Sequence, residues 1–226
     1  MNSKGKKGIA GLIQSMKSFG KSTDGATQSV KKLSIATLAI SAVISLVISA
    51  VRKLVDVAKE GIELASQLEE VQNVVEVSFG DMTQDVEEFS KKALYSLGMS
   101  ELTAKKMAST FMAMSNGMGI AARDGRNMAL QLTALAGDMA SFYNVSEEVA
   151  QTALNSIFTG ETETLKKFGI VLTETNLKAF ALSRGITKSY SSMTEAEKVA
   201  LRYNYVLQAT ANAQGDFART SGSWAN

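Results

Sequence analysis

Two glutamates two residues apart, Glu161 and Glu163, are the closest approach in this chain to a catalytic pair. A glycosidase needs two carboxyl groups facing each other across a cleft, one as acid and one as base or nucleophile. Acids at the start of a helix have a simpler use, because they complement the positive end of its dipole. The chain contains no His and no Cys. That removes the common nucleophile–base pairs, thiolate and imidazole metal sites, and disulfides. Asp81, Asp85, Glu87 and Glu88 form a loose acidic cluster without the spacing of a calcium loop, and they read as a solvated face. Gly117 and Gly119 sit in a GMG run with no strand before it, and no GxxxxGK[ST] loop occurs anywhere. The expectation is a non-enzyme: no catalytic residue, no cofactor, no metal and no small-molecule substrate.

The elements around these residues read as helices throughout. The chain has no Pro, so nothing interrupts long helices. Eleven Met and few aromatic residues point to adaptable helix–helix contacts. Residues 33–51, LSIATLAISAVISLVISAV, carry no charge and are flanked by Lys31, Lys32, Arg52 and Lys53. As a helix they extend about 28 Å, close to a bilayer core of about 30 Å. Thr37, Ser41, Ser45 and Ser49 fall within one arc at helical spacing, together with Ser34. Such a small-residue face admits a neighbouring helix, in lipid or in a bundle. Two readings stay open: a segment that enters a membrane, and a buried or self-associating helix whose hydroxyls bond back to the preceding turn. If it inserts, the stronger positive flank keeps the N-terminus cytoplasmic. It makes a poor secretory signal, being long and lacking a small-x-small site.

Beyond Arg52 the helical pattern continues to about residue 78. Val57, Leu64 and Val71 repeat every seven residues, interleaved with Gly61, Leu68 and Val75. Three short heptads suggest a coiled-coil seam, weakened by Gly61; an ordinary amphipathic helix fits as well. From residue 79 short helices are broken by glycine. Asp81 with Gln84 is read as a cap for a helix ending at Gly98, and Ser100 opens the next. A longer helix covers about 125–143, followed by a cap at Asn144 and Glu147. Gly160, Gly169 and Gly185 each stop a short helix, and Thr194 with Glu197 forms a capping box for a helix over about 195–213. Residues 170–172 are the only β-like run. The fold class is all-α: a long apolar helix running into an amphipathic helix, then a glycine-punctuated multi-helix region. The division is a basic flexible arm over 1–30, a long helix over 31–78, and a helical region over 79–226.

Charge is uneven. Residues 1–53 hold nine Lys/Arg and one acid, a net +8, while the remainder carries −6. Such a basic head suits nucleic acid or anionic lipid, but a solvated disordered arm is the favoured reading; it lacks Arg before residue 52 and has one aromatic, Phe19, so base stacking has little support.

Three passages carry a resemblance. They are FGDMTQDVEEFSKKALYSLGMSELTAKKMASTFMAMSNGMGI from residue 79, ALNSIFTGETETLKKFGIVLTE from residue 153, and MTEAEKVALRYNYVLQATANAQGDFARTSGSWAN from residue 193. In this order and spacing they resemble the N-terminal conserved region of bacteriophage tail tape measure proteins. Gly160, Phe168 and Gly169 match in the second passage, and Lys198, Arg202, Gly215, Asp216 and Arg219 in the third. The resemblance implies a structural protein lying as parallel helical copies in the tail tube, setting tail length and assisting DNA ejection. Its implied partners are further copies of itself, the tail tube protein, the tail assembly chaperones and the host membrane. Its implied location is the lumen of the virion tail tube, after assembly in the host cytoplasm. As one helix 226 residues span at most about 340 Å, and family members are mostly several times longer, so a fragment ending at SGSWAN is expected. The alternative is a single-span membrane or pore-forming protein with a helical soluble domain.

Overall fold

Short capping signals at Ser100, Ser146, Thr173 and Thr194 set where four of the described helices begin. In the computed structural model, which describes residues 66–221 together with Ser49, Arg52, Lys53, Asp56, Lys59 and Glu63, no strand occurs among the described residues. The chain divides into two units, Met1–Glu70 and Val71–Asn226. In the first unit, the six scattered described positions are all helical, and Lys59 lies 3.9 Å from Asp56 in an exposed pair.

In the second unit the helical residues 71–79 (α1) bury Val71, Val75 and Phe79. These two valines of the heptad pattern therefore pack within this unit's own core. A 3-10 turn, Gly80–Met82, leads into α2, Thr83–Leu97. Asp81 does not cap α2, whose N-cap is Met82 with no side-chain bond; a residue inside the 3-10 turn is set back from the exposed amides of the next helix. Gly98 closes α2 in the left-handed region, φ 68°, where a side chain would be strained. Ser100 then caps α3, Glu101–Gly117, by accepting the Thr103 amide at 3.1 Å.

The longest described helix, α4, is Ala122–Tyr143. Its buried residues alternate small and large: Ala129, Leu132, Ala136 and Met139 among them. That stripe lets α2, α3 and the later helices Glu147–Leu154 and Asp216–Thr220 pack around it. Asn144 ends α4 in the left-handed region rather than capping the next helix; the cap of α5, Glu147–Leu154, is Ser146, which accepts the Val149 amide. Asn tolerates that backbone region better than most residues, which explains the exchange of roles.

Then come α6, Ser156–Thr159, α7, Glu163–Lys166, and α8, Glu174–Ser183, the last capped by Thr173. The β-like run at 170–172 is irregular chain, and its Ile170 and Leu172 are core residues. After a 3-10 turn at Tyr190–Ser192, α9, Glu195–Ala209, begins with a complete capping box: Thr194 Oγ1 accepts the Glu197 amide, and Glu197 accepts the Thr194 amide at 2.7 Å. It ends four residues before the point expected from the sequence, with Thr210 Oγ1 bonded back to the Val206 carbonyl. A short helix, α10, Asp216–Thr220, completes the described chain. The core is one apolar cluster with Phe111 stacked on Phe158 at 6.1 Å and Met99, Met112 and Met139 filling around it.

Among the described residues no helix is long and apolar enough to cross a membrane. The apolar run 33–51 lies outside the described residues except for Ser49, which is helical and exposed.

Candidate functional site

The motif positions of the second half gather into two polar clamps. The first is built on Arg202, a residue of α9 that is 5% exposed. Its Nε donates to the Ile157 carbonyl at 2.6 Å, and its Nη2 donates to the Phe158 carbonyl at 3.0 Å. Those carbonyls belong to α6, a helix of four residues whose C-terminal oxygens have no partner inside the helix. The third donor, Nη1, reaches the Tyr190 hydroxyl at 3.0 Å. Gly160 makes the approach possible. It ends α6 with φ 74°, and a Cβ there would stand 3.0 Å from Arg202 Nη1. A planar cation with several fixed donors suits this position, because it meets the negative end of α6 without a carboxylate. Lys198, one turn earlier, pairs with Glu195 at 2.8 Å and lies over the Tyr190 ring.

The second clamp holds α10 on α4. Asp138, a buried residue of α4, accepts the Gly215 amide at 2.7 Å and the Phe217 amide at 3.3 Å. Those amides stand at the start of α10, so a carboxylate from a distant helix supplies its N-terminal cap. Asp216 is buried as well and accepts from the Ser141 hydroxyl at 2.7 Å. Arg219 closes the turn by donating to the Gln214 and Asn212 carbonyls and pairing with Asp216 at 3.3 Å. The Phe217 ring lies on Gly98, so close that a Cβ there would clash with it.

Phe168 and Gly169 have a related role in the connection after α7. The Phe168 ring packs edge-on against Tyr143 at 4.9 Å, and the Tyr143 hydroxyl donates to the Phe168 carbonyl at 3.2 Å. Gly169 turns the chain there and its amide bonds to the Lys166 carbonyl. Thr37, Ser41 and Ser45 lie outside the described residues.

Most of the carboxylates weighed for chemistry are already engaged in hydrogen bonds or ion pairs. Glu161 accepts the Glu163 amide at 2.6 Å and the Thr164 hydroxyl at 2.9 Å, bonds that hold its carboxyl below the ordinary glutamate value. Glu163 pairs with Lys166 at 2.6 Å. Asp85 bonds Arg126, and Glu87 accepts from Gln72 at 2.9 Å. Among the described residues no group of acids is arranged to hold a metal ion.

An open groove of about 670 Å³ lies between the α3–α4 connection, α4 and α9, with Ile120, Met128 and Leu130 beside Asp124, Glu197 and Tyr203. Several of its polar groups are already bonded: the Tyr203 hydroxyl donates to Gln131, and Glu197 holds Lys188 and the Thr194 amide. Burial pushes the Tyr203 hydroxyl up to about 12. Ionisation therefore costs the folded state, and the stability this group lends is present below the unfolded value near 10 and lost as pH rises through about 12. An alkaline titration followed by tyrosinate absorbance is expected to show a late fraction that disappears in Tyr203→Phe. Loss in Tyr203→Phe of a fraction that titrates at the ordinary value near 10, with the late fraction retained, would exclude the buried setting.

Sequence reasoning missed Asp138 and Tyr190. The signal for Asp138 was a single acid inside the otherwise apolar run ALAGDMASF. Tyr190 offered none, since it stands among exposed serines. Compared with known proteins, the chain matches no family model, no curated protein and no solved structure.

Proposed function

We propose that this chain is a non-enzymatic structural protein of the tail tape measure type, working inside a phage tail tube by setting tail length and assisting DNA ejection. The observation that supports it is where the resembling residues spend their polar groups. Arg202, Gly215 and Asp216 tie helix to helix, Gly160 makes room for Arg202, Arg219 closes the turn before α10, and none of them lines the groove. Residues used this way serve shape, not bond-making chemistry. In this reading the apolar run 33–51 forms a long helix leading into the amphipathic one. It packs against its copies or enters the host membrane through the face carrying Thr37, Ser41, Ser45 and Ser49.

The test is made in assembled tails. Several copies are expected to co-purify with tail tubes, and an in-frame deletion of fourteen helical residues is expected to shorten the tail by about 21 Å. Tails of unchanged length would refute the ruler role. The uncharged run 33–51 also favours a second reading, a single-span or pore-forming protein. Liposome flotation that survives high salt and alkaline wash would favour it over the tail role, and complete wash-off would exclude it.

A further inference from the structure

We propose that the segment between α8 and α9 is a proteolytic processing site for a Lys-directed endopeptidase, cut at Lys188–Ser189, and that the product remains one body held across the cut by the Arg202 and Asp138 clamps. The inference stands apart from the tail reading and does not depend on it.

An endopeptidase binds its substrate as several extended residues, so a bond inside a helix must first open. Residues 182–189 are all exposed. Among the described residues, Lys188 is the one Lys or Arg that lies in neither a helix nor a turn. The amides of Thr187, Lys188 and Ser189 donate to no backbone carbonyl. Lys188 itself is held by Glu197 at 2.6 Å, with both side chains 45% exposed. An exposed ion pair of this kind yields readily to a competing carboxylate in a protease pocket. Hydrolysis breaks the bond between the Lys188 carbonyl carbon and the Ser189 nitrogen. Water supplies the oxygen of the new carboxylate and the hydrogen of the new amino group, so nothing else is consumed.

The pieces would share more than a surface. The C-terminal piece carries α9 and α10, with Val199, Leu201 and Val206 in the core. Arg202 on that piece donates to Ile157 and Phe158 on the other. Gly215 and Phe217 donate back to Asp138, and Ser141 donates to Asp216. Both clamps therefore span the cut, while the cut segment itself has no core residue between Leu182 and Ser192.

The experiment is brief native trypsin treatment of the full chain, read by intact mass and native size exclusion. Within residues 71–221, Lys188–Ser189 is expected to be cut first, at least about tenfold faster than any other bond there. Lys188→Gln is expected to abolish that cut. The nicked protein is expected to elute as one species in native buffer and as two in denaturant. Arg202→Met, shown to be helical by circular dichroism before cutting, is expected to release the C-terminal piece. A first cut elsewhere in 71–221, pieces that separate in native buffer, or retention of the piece by the Arg202 variant would each overturn the proposal.

Discussion

Arg202→Met is expected to lower the free energy of unfolding by about 3–5 kcal/mol in a urea melt. Methionine keeps most of the apolar stem and removes all the donors. The Ile157 and Phe158 carbonyls then lose their charged partner at the buried end of α6. Each carbonyl left without a partner costs roughly 1–3 kcal/mol, which accounts for the total. Among the described residues no carboxylate forms an ion pair with Arg202, so the variant leaves no orphaned ion-pair partner to enlarge the effect. Arg202→Lys tests the geometry separately. A single ammonium cannot serve both carbonyls and Tyr190 from one planar fork, and about half of the loss is expected to remain. Tyr190→Phe removes one bond only and is expected to cost about 1 kcal/mol. A loss below about 1 kcal/mol in Arg202→Met would mean that water reaches these carbonyls, and the clamp would then contribute nothing specific.

Asp138→Ala is expected to cost about 2–3 kcal/mol, because two amides at the start of α10 lose their acceptor and a capping charge together. The loss is bounded by what the docking of α10 contributes, since the helix can leave α4 while the rest stays folded. Hydrogen exchange separates the two cases. The Gly215 and Phe217 amides are expected to lose protection in the variant, while amides in the middle of α4 keep theirs. Asp138→Asn is expected to recover only part of the stability. Its oxygen can still accept one amide, but its NH2 would face the other donor. Unchanged protection of Gly215 and Phe217 in Asp138→Ala would show that the Phe217 ring on Gly98 holds α10 without the carboxylate.

Much of the secondary structure is local and was therefore readable. A capping box needs only residues three apart, and Thr194 with Glu197 forms one. Ser100 likewise caps within its own first turn, and Gly98 needs only its own backbone freedom to end α2. Where two neighbouring residues could compete for a role, the sequence misled. Asn144 took the left-handed end of α4 and left the cap to Ser146, and Asp81 lost its cap to the 3-10 turn.

The sequence alone determined that the described protein is helical, because capping patterns and the lack of Pro act over three or four residues at a time. It also marked Gly160, Arg202, Gly215, Asp216 and Arg219 as residues to watch, through a resemblance that does not reveal their contacts. Only the tertiary structure decided that Arg202 serves carbonyls 44 and 45 residues away, and that Asp138 caps a helix 77 residues further on. Bonds of that kind depend on how whole helices settle against one another, and packing among many helices is not written in any short stretch of chain.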